Sequence, residues 1–99
     1  MKQEFSIYIY MDEDKKQLLP IKVTEMRFHH WVRSQTDIGK SLQSICDQFK
    51  EQGYDLKVND LSTWTTKNYP EKRISLISRV TGIDELTLVV ERYCRKLNQ

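Results

Sequence analysis

The stretch TDIGKSLQSICDQFKEQG, residues 36–53, places apolar side chains at Ile38, Leu42, Ile45, Cys46 and Phe49, in steps of three and four. That spacing lays one apolar stripe along a helix. Thr36 is placed to cap the helix, and Gly53 suits the left-handed position just past its end.

Upstream the period changes. Phe5, Ile7 and Ile9 alternate with Ser6, Tyr8 and Tyr10, and Leu19, Ile21 and Val23 alternate again after the charged run Asp12 to Lys16. Period two in aromatic and β-branched residues predicts two strands joined as an antiparallel hairpin. Pro20 lacks an N–H, so the second strand is an edge there or pairs after it. Two strands alone are marginal, so they must pack on helices or pair with another chain. Thr24 is placed to cap a short helix reaching about Gln35.

Downstream, Asn59 is a candidate cap for a helix from Asp60 to about Lys67, with Leu61 and Trp64 on one side. Thr63, Thr65 and Thr66 lower helix propensity, and a strand over Leu61 to Thr66 is the competing reading. Pro70 suits a first helical turn. Ile74, Ile77 and Val80 form the next stripe, closed by Gly82. Asp84 caps a last helix with Leu86, Val89, Val90, Tyr93, Cys94 and Leu97 as a broad apolar face, and Arg92, Arg95 and Lys96 near its C-terminus.

The expected fold is therefore α+β, a single domain over residues 1–99. A two-stranded hairpin within 1–24 packs on a bundle of about five short helices within 25–99. Ninety-nine residues allow one modest core, and 38% hydrophobic with 30% charged residues excludes a disordered chain. Glu4 and the charged run at 11–16 speak against a signal peptide, and no apolar run is long enough to span a bilayer. Cys46 and Cys94 both fall in helical stripes and read as buried free thiols of a reducing compartment, so a cytoplasmic location is expected.

Enzyme chemistry finds little support. There is no glycine-rich phosphate loop and no nucleophile elbow. Asp12, Glu13 and Asp14 lie in a lysine-bearing turn. His29 and His30 are adjacent, so on a helix they point to different sides, and no paired Cys or His spacing accompanies them. A non-enzymatic protein with no metal and no cofactor is expected. Tyr8, Tyr10, Phe28 and Trp31 form an aromatic cluster that reads mainly as core, with a partner surface as the alternative for some of them.

Ser41 to Ile83 resembles the phage-repressor-like helix-turn-helix family. Leu42, Ile45, Cys46 and Phe49 are similar to its first, supporting helix. Leu61 and Trp64 have the spacing of the core anchors of a recognition helix, and Asn68-Tyr69-Pro70 looks like the turn that leaves it. Arg73, Ile74, Ile77 and the Val80-Thr81-Gly82-Ile83 ending look like the helix that closes the core. Two departures stand out. The connection Lys50 to Val58 is about five residues longer than the usual tight turn of ~3–4, and Cys46 occupies the place of a small residue.

The resemblance implies a dimeric, sequence-specific DNA-binding transcriptional regulator of double-stranded DNA, from a phage, mobile element or bacterial host. The residue chemistry agrees. With Leu61 and Trp64 inward, Ser62, Thr63, Thr65, Thr66 and Lys67 are left to meet base edges. Lys57, Asn68, Lys72 and Arg73 are candidates for phosphate contacts. Lys57 to Arg79 holds five cations against Asp60 and Glu71, a local excess of three. A homodimer would form through the N-terminal strand or the C-terminal helix. The alternative is a small inhibitor or adaptor that binds a protein partner and no DNA. A solvated, threonine-rich face explains the same residues without any ligand.

Overall fold

The structure, a computed structural model, describes residues 9–99. Among the described residues, a two-stranded antiparallel hairpin near the N-terminus packs against a bundle of five helices. Strands β1 (Met11–Asp12) and β2 (Gln17–Leu18) pair in the register Met11 with Leu18 and Asp12 with Gln17. A 3-10 turn (Val23–Glu25) leads into α1 (Arg27–Asp37), α2 (Leu42–Glu51) and α3 (Val58–Thr66). A second 3-10 turn (Glu71–Arg73) runs into α4 (Ile74–Thr81), and α5 (Glu85–Leu97) follows.

The hairpin is displaced toward its turn. Phe5, Ser6, Ile7 and Tyr8 of the expected first strand lie outside the described residues, and Ile9 and Tyr10 are not in a strand. Asp12 Oδ1 accepts the backbone N–H groups of Asp14 (3.1 Å) and Lys15 (3.4 Å), and Lys16 takes a left-handed φ of 52°. The turn is thereby closed by its own side chain. Leu19, Ile21 and Val23 do not form the second strand, because Pro20 interrupts the donors a ladder needs. Ile21 instead donates to the Cys94 carbonyl (3.1 Å), and its own carbonyl accepts from Asn98 Nδ2 (3.1 Å). Val23 opens the 3-10 turn.

Three expected caps also move. Thr24 sits inside the 3-10 turn, and α1 begins after Met26. Thr36 belongs to α1, where its hydroxyl bonds back to the Arg33 carbonyl. Ser41 caps α2 by accepting from Ser44 N (3.1 Å). Asn59 lies within α3, whose N-cap is Lys57. Gly53, Gly82 and Asp84 serve as the sequence predicts. Gly53 and Gly82 have φ of 89° and 78°, and Asp84 accepts from Leu86 N and Thr87 N. Leu61–Thr66 is helical, since the apolar pair three residues apart has a core to meet on one side only.

The core is continuous and includes Met26, Phe28, Ile45, Phe49, Leu61, Trp64, Tyr69, Ile77, Leu88 and Cys94. Edge-on ring contacts knit it: Phe28 to Tyr69 at 5.7 Å and Phe49 to Trp64 at 5.9 Å between centroids. The broad face expected on α5 is divided. Val90 and Cys94 are buried together with Thr87, Leu88 and Glu91, whereas Val89, Tyr93 and Leu97 are exposed. The apolar residues of α5 cover more of its circumference than the bundle can enclose.

Glu91 is the one fully buried acid among the described residues. It accepts from the Tyr10 hydroxyl and from Arg27 N (2.6 Å), and Arg27 Nη1 lies 3.5 Å away. Burial pushes its carboxyl above the usual range, against the opposing pull of those bonds and of the Arg27 charge. Together these three residues tie the segment before the hairpin, the start of α1 and the middle of α5 into one polar knot.

Candidate nucleic-acid interface

The α3 helix divides its residues cleanly. Leu61 and Trp64 are buried, as the anchor spacing requires. Trp64 meets Phe28 and Phe49 on the core side and stacks on Tyr54 at 6.2 Å, with planes 23° apart. Asn59, Ser62, Thr63 and Thr66, at steps of three, one and three, form one exposed face. Lys67 follows at the C-cap, also exposed.

The hydroxyls of that face are partly committed. Thr63 donates to the Asn59 carbonyl (3.1 Å) and Thr66 to the Ser62 carbonyl (2.8 Å). Each oxygen keeps lone pairs able to accept, and each methyl is held in one rotamer. Among base-edge partners, this fits donors such as cytosine N4 and adenine N6, and the thymine methyl. Thr65 differs from the other predicted base-contact residues. It is half-buried, its hydroxyl donates to the Leu61 carbonyl (2.7 Å), and its carbonyl lies 3.0 Å from His29 Nδ1. A carbonyl only accepts, so Nδ1 carries the proton there. Thr65 therefore faces α1.

The predicted phosphate contacts occupy four different environments. Lys72 is exposed in the middle of the second 3-10 turn. Lys57 is paired with Asp55 (2.8 Å), which raises the lysine's pKa and lowers the aspartate's. Asn68 is half-buried. Its Nδ2 donates to the Arg92 carbonyl (3.2 Å), and its Oδ1 accepts from Tyr69 N (3.0 Å). Arg73 lies over the Tyr54 ring at 4.1 Å, and its buried Nε has no hydrogen-bond partner among the described residues. Trp64, Tyr54 and Arg73 thus form one stack.

That stack explains the long connection between α2 and α3. Gln52 to Lys57 is a packed loop rather than a slack one. Tyr54 N donates back to the Phe49 carbonyl (3.1 Å), Leu56 is buried, and the Tyr54 ring covers Trp64. The extra residues bring two anchors of their own.

The sequence reading missed two cations beside α3. Arg95 Nε donates to the Lys67 carbonyl (2.9 Å), and Arg92 Nε donates to the Tyr69 carbonyl (2.9 Å). They brace the turn that leaves α3, with the Arg95 guanidinium at Lys67 and that of Arg92 at Tyr69. Their i,i+3 spacing in the last helix was legible. Their juxtaposition with residues 67–69 was not, because it depends on how α5 crosses the bundle. On the other side of α3, His29 is half-buried and His30 exposed, with rings edge-on at 6.3 Å. They line an open pocket of about 320 Å³ with Arg33 and Asp37. Among the described residues no group of three His, Cys, Asp or Glu is placed to hold a metal, and no helix is long and apolar enough to cross a membrane.

No family model, curated protein or solved structure matches the chain.

Proposed function

We propose that this protein binds double-stranded DNA by setting the exposed face of α3 into the major groove, as a transcriptional regulator. One observation carries the reading. A short helix buries Leu61 and Trp64 while turning Asn59, Ser62, Thr63 and Thr66 outward, with Lys67 and the guanidinium groups of Arg92 and Arg95 around its C-terminal end. Short polar side chains suit base edges, and the cations beside them suit phosphates. Lys72 adds a further exposed cation. Lys57 and Asn68, already bonded within the chain, contribute less in this reading, and Arg73 acts mainly by bracing Tyr54.

The test is fluorescence anisotropy with mixed-sequence duplex DNA at several salt concentrations. Affinity should fall linearly in log salt. Lys67→Ala and Lys72→Ala should each flatten the slope by about one unit, while Lys57→Ala should change it less. Absence of binding at low salt would remove the DNA reading and favour the alternative, an adaptor with a protein partner.

A further inference from the structure

We propose that the exposed stripe of α5, formed by Leu86, Val89, Tyr93 and Leu97, is a two-fold interface on which a second copy of this chain docks with its own α5 antiparallel. The four residues follow one another at steps of three, four and four, so they lie in a single line. Val89, Tyr93 and Leu97 are 47%, 52% and 45% exposed, and Leu86 is half-buried. The opposite side of the same helix holds Leu88, Glu91 and Cys94, all fully buried. Val89, Tyr93 and Leu97 therefore form a second apolar face left uncovered among the described residues, continued by Leu86, which packs partly against the core. It lies away from Arg92 and Arg95, which hold the 67–69 turn, so docking there leaves α3 accessible.

Charge selects the occupant and its direction. Glu85 in the first turn and Lys96 in the last turn of α5 both flank the stripe, whereas Asp84 caps the helix and Arg95 holds the 67–69 turn. A two-fold axis between Val89 and Tyr93 sets Leu86 against the second copy's Leu97, and Val89 against its Tyr93. The acidic first turn of each helix then lies beside the basic last turn of the other, and the helix dipoles oppose. A parallel pair would instead set Glu85 against Glu85 and Lys96 against Lys96. Glu85 Oε2 accepts from Ser75 Oγ (3.2 Å), which leaves its other oxygen for an intermolecular partner. One helix pair covers less than the ~800 Å² per partner of a standard interface. The dimer is accordingly weak in free solution, and a two-fold target would strengthen it by holding both copies at once. The inference does not depend on what α3 touches.

Sedimentation equilibrium from low micromolar to millimolar protein tests it. A monomer–dimer equilibrium is expected, weakened at least tenfold by Val89→Asp. Glu85→Lys alone should also weaken it, and the double exchange Glu85→Lys with Lys96→Glu should restore it to within about threefold, because the antiparallel pairing is regenerated. Circular dichroism checks that each surface variant stays folded. A wild-type chain that remains monomeric throughout the range would overturn the proposal. So would a dimer indifferent to Val89→Asp, or a double exchange weaker than the single one.

Discussion

Glu91 is the residue on which most of the polar interior turns. Its side chain serves the Tyr10 hydroxyl, the Arg27 amide and the Arg27 guanidinium at once. Glu91→Leu fits the space but leaves the Tyr10 hydroxyl and the Arg27 amide without their acceptor, and is expected to cost ~1–3 kcal/mol in urea unfolding, since the half-exposed Arg27 guanidinium can turn to water. Because burial raises its folded pKa above the ordinary value, the folded protein holds that proton more tightly than the unfolded chain does. The stabilisation linked to it is complete below the unfolded carboxylate range and is lost as pH rises through the folded pKa. Wild-type stability relative to Glu91→Gln should therefore fall as pH rises above the ordinary carboxylate range of about 4. A relative gain as pH rises would contradict the assignment. The two thiols give a simpler test. Cys46 and Cys94 are buried and unbridged, and burial pushes both up, Cys94 to about 11. Both should react with a thiol reagent orders of magnitude more slowly in the native than in the unfolded protein.

The elements are held by a few local devices whose removal has graded consequences. Trp64→Ala takes away the partner of Phe28, Phe49 and Tyr54 together and should cost ~3–5 kcal/mol. Asp84→Ala removes the acceptor of two amides at the start of α5, for about 1 kcal/mol. Both are measurable as shifts in denaturant midpoint. Such devices also mark how much the sequence could say. The glycine and aspartate at 82 and 84, the Leu61–Trp64 anchors and the Ile45, Cys46 and Phe49 part of the α2 stripe follow from residue spacing, and the structure carries each of them; Ile38 and Leu42, read into the same stripe, are exposed, and Ile38 sits at the C-cap of α1. The strand positions do not follow, because the alternation at 19–23 reflects Ile21 meeting α5, not a ladder. Nor does the division of α5, where six apolar residues looked like one face. Only the packed bundle determines that Glu91 and Leu88 go in while Val89, Tyr93 and Leu97 stay out. At the candidate interface, Ser62, Thr63, Thr66 and Lys67 were legible as an outward set. Thr65 and Asn68 were not distinguishable from them, since their partners, His29 and Arg92, lie on other helices.

At the scale of the whole molecule, the core draws on every helix and on the segment before the hairpin, through Tyr10. Unfolding should therefore be a single cooperative transition, with tryptophan fluorescence and far-ultraviolet circular dichroism changing at the same denaturant concentration. Separate transitions would show that the N-terminal segment detaches on its own. The knot around Glu91 has a further consequence for synthesis. Its bonds join residues 64 and 81 positions apart, and Ile21 likewise reaches Cys94 and Asn98. A ribosome delivers Tyr10 and Arg27 long before the acceptor they need. Until α5 has left the exit tunnel the nascent chain keeps these donors and the apolar groups around them uncovered, so a stop codon before residue 91 should yield a chain cleared by proteases rather than a shortened functional protein.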